Sequence, residues 1–61
     1  MQTITKFDHV LLKFWFTGGI SRNISNVIEI AREGNFMAVY TGNATYIINF
    51  DNVSMIEEIH Q

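Results

Sequence analysis

Val10-Leu11-Leu12-Lys13-Phe14-Trp15-Phe16 is apolar at alternate positions and largely apolar between them as well. A strand sends successive side chains to opposite faces, so Val10, Leu12, Phe14 and Phe16 line one face. Leu11 and Trp15 line the other, with Lys13 between them. Both faces need cover. A domain of about 60 residues buries only ~60% of the surface its unfolded chain exposes. The second face is therefore expected to meet another molecule.

Outward from this stretch, the chain is cut by Gly18-Gly19, Gly34-Asn35, Gly42-Asn43 and Asp51-Asn52. Such pairs are hairpin signals. They leave five segments, near 4–17, 21–33, 36–41, 44–50 and 53–59. Regular short segments of this kind predict an all-β antiparallel meander of four to five strands. It would form an SH3-like or other small barrel, or remain a twisted sheet. Residues 1–61 form a single small domain.

Register tests the meander, because a slip of one residue exchanges the two faces. A two-residue Gly42-Asn43 turn sets Val39 opposite Tyr46 and Met37 opposite Ile48. A Gly34-Asn35 turn sets Ile30 opposite Val39 and Ile28 opposite Thr41. A three-residue Gly18-Gly19-Ile20 loop pairs Phe14 with Ile24 and Val10 with Ile28. All three turns place Val10, Leu12, Phe14, Phe16, Ile28, Ile30, Met37, Val39, Tyr46, Ile48 and Phe50 on one core face. The opposite face carries Leu11, Lys13, Trp15, Val27, Phe36, Tyr40 and Ile47. These seven are the candidate interface residues, since contiguous exposed apolar area marks interaction sites and Trp and Tyr commonly anchor them.

Two segments admit a helix. Ile20, Ile24, Val27, Ile28 and Ala31 recur at helical spacing, with Ser21 and Gly34 placed as caps. This gives an α+β alternative with a helix near 21–33. The β-branched content of that segment favours strand. At the C-terminus, Val53, Ile56 and Ile59 step by three, and Ser54-Met-Ile-Glu57 matches a capping box. A short C-terminal helix and a terminal strand both fit.

Composition narrows the function. The chain is 48% hydrophobic and only 16% charged, against a usual charged share of about 25%. It contains no cysteine, so neither a disulfide nor a thiolate metal site can staple it. Oligomerisation is the remaining common staple for a domain this small, and a homodimer is the simplest closed form. The net charge is −2, and Lys6, Lys13, Arg22 and Arg32 are scattered. Nucleic-acid binding needs clustered cations to neutralise phosphates, so it is not expected. The N-terminus lacks the pattern of a signal peptide. No apolar run approaches the ~20 residues of a membrane span. A cytoplasmic location is the expectation.

Chemistry-bearing residues are few. Asp8-His9 is the one adjacent acid–imidazole pair, and neighbours in a regular strand point apart. Glu57 and His60 would share a face only in a helix. Neither motif predicts a catalytic or metal site, and no cofactor is expected. Trp15, Phe36, Tyr40 and Tyr46 could stack on bases, but the positive track such grooves need is missing. In outline, the stretch from Tyr46 to Glu58 resembles the end of Sm-like and SH3-like barrels. The basic RNA-binding motif of the Sm-like proteins has no counterpart here.

The expectation is a non-enzymatic binding module that self-associates and acts on another protein. Nine isoleucines and six asparagines without proline point to an A/T-rich coding sequence. An accessory or inhibitor protein of a phage or mobile element would fit. The alternative is a small-ligand, for instance nucleotide, binder or sequestering oligomer with sites between subunits. Arg22 and Arg32 would be its ligand-binding candidates.

Overall fold

The alternation extends through nearly the whole chain, and the backbone follows it. The computed structural model describes residues 2–60. Its strands are β1, Gln2–Phe16; β2, Ser21–Glu33; β3, Phe36–Thr41; β4, Thr45–Asn49; and β5, Val53–Ile59. A single 3₁₀ turn, Phe50–Asn52, joins β4 to β5. The strands make one antiparallel sheet in the order β4-β3-β2-β1-β5. The all-β meander is therefore correct. Among the described residues there is no α-helix, and no helix long and apolar enough to cross a membrane.

Both helical alternatives fail for a local reason. Segment 21–33 is strand, and its steps of three arise from bulges. Pairing passes from Leu12 opposite Ile24 to Val10 opposite Val27, so β2 spends Ser25 and Asn26 where β1 spends only Leu11. Asn26 takes the left-handed conformation, at φ 60°, which asparagine tolerates better than most residues. Ile24 and Val27 thus both point inward. A second irregularity opposite β3 admits Ile28 and brings Ile30 inward as well. At the C-terminus, Ser54 caps no helix. Its hydroxyl donates to the Trp15 carbonyl at 3.2 Å, tying β5 to β1.

The Gly42-Asn43 turn sets the expected register and the Gly34-Asn35 turn sets it only near the turn, since Val27 and not Ile28 stands opposite Thr41. Val39 faces Tyr46, Met37 faces Ile48 and Ile30 faces Val39. The Gly42-Asn43 turn is held by its neighbour. The Thr41 hydroxyl accepts from the Ala44 amide at 3.0 Å. The first hairpin has a three-residue loop, but it is Thr17-Gly18-Gly19, with Phe14 opposite Arg22 and Leu12 opposite Ile24. Gly18 and Gly19 lie at φ 95° and 86°. A β-branched Ile20 fits such a position poorly; it follows the loop, its carbonyl accepting from the Phe16 amide at 2.7 Å, and β2 begins at Ser21.

The core is one cluster of Leu12, Phe14, Ile24, Val27, Ile30, Met37 and Val39. Phe7, Val10, Phe16, Tyr46, Ile48, Phe50, Val53 and Ile56 pack around it. Ile28 is exchanged for Val27 in this set by the Asn26 bulge. The 3₁₀ turn is anchored at both ends: the Phe50 amide donates to the Asn35 carbonyl at 2.7 Å, and Thr17 donates to Asn52 at 2.9 Å.

Candidate interaction surfaces

The outer face of the sheet divides in two. On one half, register sets Ile4, Ala31, Ala38 and Ile47 in a row across β1, β2, β3 and β4. The flanking row is Gln2, Glu33, Phe36 and Asn49, and on the other side come Lys6, Glu29, Tyr40 and Thr45. Residues opposite one another share a face. The row therefore gathers Ile4, Phe36 and Ile47, which are 53%, 61% and 67% exposed. Small Ala31 and Ala38 between them keep the surface shallow. Lys6, Glu29 and Glu33 place both signs of charge around its margin.

The other half holds Leu11, Lys13 and Trp15, opposite Ile59, Glu57 and Met55 of β5. Here the chain provides its own partners. The Trp15 indole N–H donates to Glu57 Oε1 at 2.7 Å, and Lys13 Nζ lies 4.6 Å from the ring centroid. Trp15 and Leu11 are half-buried. The seven candidate interface residues thus do not form one patch. Phe36, Tyr40 and Ile47 lie on the open half. Leu11, Lys13 and Trp15 lie on the half bordered by β5. Val27 is corrected: it is fully buried in the core and unavailable to any partner. Ile4 joins the open half unforeseen, although the Thr3-Ile4-Thr5 alternation carries the signal.

On the inner side, a cleft of about 470 Å³ runs between β4 and the β1–β2 hairpin. Phe14, Phe16, Ile24 and Ile48 form its apolar wall, and Arg22 lies at its lip. The Arg22 guanidinium sits 5.9 Å from the Tyr46 ring centroid and has no acidic partner among the described residues. Arg32 lies at the far end of β2 and stacks on Phe50 at 3.7 Å. One chain therefore does not bring the two arginines into a common site.

A smaller recess of about 300 Å³ is lined by His9, Ser25, Asn26 and His60 among others. His9 is itself at φ 53°. That bulge breaks the alternation and brings His9 Nδ1 within 3.3 Å of Asp8 Oδ1, a contact a regular strand would forbid. The pair is solvent-exposed, and no hydrogen bond joins Ser25 to His9 among the described residues. Glu57 bonds Trp15, while His60, just past the end of β5, lies 3.7 Å from Glu58 two residues before it. No group of three metal-ligating side chains forms among the described residues.

Comparison with protein-family models, with curated proteins and with solved structures finds no match to this chain.

Proposed function

We propose that this chain is a non-enzymatic binding module that works as a homo-oligomer, a dimer in its simplest form, through the open half of its outer face. The observation that carries this reading is the exposure of Ile4, Phe36 and Ile47 in one contiguous region. Large apolar side chains gathered in this way mark an association surface. A standard interface removes about 800 Å² from each partner. The chain exposes 4289 Å² in all, so one such contact would cover roughly a fifth of it. An accessory or inhibitory role toward another protein is the form this module would take in a phage or mobile element.

Light scattering on a sizing column across a tenfold dilution tests the reading. Wild type is expected at twice 7.0 kDa or more. Ile47→Asp and Phe36→Asp are expected at the monomer mass, with unchanged far-ultraviolet circular dichroism. A wild-type monomer at every concentration, or folded variants of undiminished mass, would refute it.

A further inference from the structure

The cleft beside β4 has a second property, set by the backbone. Thr41 donates its amide to the Ala44 carbonyl at 2.9 Å, and Phe50 donates to Asn35 at 2.7 Å. In an antiparallel pair, hydrogen-bonded positions alternate with non-bonded ones. Ala44, Tyr46, Ile48 and Phe50 therefore point their backbone groups toward β3. Thr45, Ile47 and Asn49 point theirs the other way, and β4 has no strand on that side among the described residues. The outward groups border the cleft, which explains why Ile47 lines it although its side chain stands on the outer face. Across the gap lie the inward side chains Phe14, Phe16 and Ile24.

Natural sheets guard such edges with charge, proline or bulges. Thr45-Tyr-Ile-Ile-Asn49 has none of these. The opposite edge strand, β5, carries Glu57 and Glu58. We infer that the β4 edge is a strand-addition site for an extended segment of another protein. The segment would alternate apolar side chains, which fall on the partly exposed Phe16 and Ile48, and would carry an acidic side chain opposite Arg22. Main-chain hydrogen bonds supply affinity in this mode, and side-chain pockets supply specificity. The charge assignment follows from Arg22, which is the one charged side chain lining the cleft and has no acidic partner among the described residues.

The test is selection of a displayed heptapeptide library on the intact protein, followed by fluorescence anisotropy with the enriched peptide. Wild type is expected to enrich alternating apolar sequences with Asp or Glu at a constant position. Arg22→Glu should exchange that preference for Lys or Arg. Thr45→Pro removes an outward amide at the first position of β4, where proline is tolerated, and should weaken the wild-type peptide at least tenfold. Both variants leave Ile4, Phe36 and Ile47 in place, so their oligomeric mass separates this site from the outer face. Failure to enrich any sequence would overturn the inference, as would an acidic preference that survives Arg22→Glu. It would also be overturned by a wild-type dimer that Thr45→Pro alone dissolves, because a second copy would then occupy the edge. Nucleotide or inorganic phosphate raising the melting temperature while no peptide binds would equally contradict it.

Discussion

At the β5 end of the sheet, Trp15 bonds Glu57, lies beside Lys13 and sits opposite Met55. At the β4 end, Phe36 and Ile47 stand mostly in solvent beside two alanines. Both ends carry apolar side chains on the outer face of the same sheet. One end is bordered by its own strand, whose edge carries two glutamates, and the other is left open with an uncharged edge. An aromatic in a sequence therefore signals association less reliably than the absence of a neighbour to satisfy it. Trp15 is the most conspicuous residue of the chain, yet Ile4, Phe36 and Ile47 define the open surface.

The sharpest way to break this comparison is Val27→Asp. If Val27 belonged to the outer face with Phe36 and Ile47, a carboxylate there would alter association alone. In the core, an unpaired buried charge costs several kcal/mol, comparable to the 3–5 kcal/mol that a single small core rarely exceeds. The variant is expected to show no cooperative melting by circular dichroism. A folded variant would return Val27 to the surface.

Asn26→Val probes the bulge that buries Val27. A β-branched residue in the left-handed region is strained by about 1–2 kcal/mol. Urea denaturation should show a loss of that size with an unchanged m-value. A loss under ~0.5 kcal/mol, the usual range for surface changes, would mean that β2 runs straight past this point.

A smaller effect separates the two ends directly. Glu57→Ala removes the indole's acceptor at an exposed site and should cost about 0.5–1 kcal/mol, at the low end for a hydrogen bond to a charged group, with an altered tryptophan emission maximum. Phe36→Ser should change monomer stability by less than about 0.5 kcal/mol. Both are measured at a dilution where self-association adds nothing to stability. Equal losses at the two ends would erase the distinction between them.

Much of the fold was legible because turns and alternation reinforce one another. The Gly42-Asn43 pair sets the register of β3 and β4 and the Gly34-Asn35 pair that of β2 near its turn, and the core residues Ile30, Met37 and Val39 follow from them, while Leu12 and Phe14 follow from the alternation of Val10–Phe16. The bulges were not legible. A bulge needs one extra residue and a tolerant backbone, and neither Asn26 nor His9 announces itself among six asparagines and two histidines. The bulges turned an alternating strand into steps of three, which imitated a helix over 21–33 and misplaced Val27. The candidate surface was half legible for the same reason. Phe36, Tyr40 and Ile47 fall within well-registered hairpins. The partnering of Trp15 depends on β5 returning to β1, a contact between residues 42 apart in the chain.

The most direct test of the open β4 end is an amide correlation spectrum recorded at several protein concentrations. Self-association through that surface predicts concentration-dependent shifts at Ile4, Ala31, Phe36–Tyr40 and Thr45–Asn49, with Leu11–Trp15 and Met55–Ile59 unmoved. Shifts confined to the Trp15 and β5 residues would place the contact at the wrong end of the sheet, and a spectrum independent of concentration together with a monomeric mass would contradict self-association altogether.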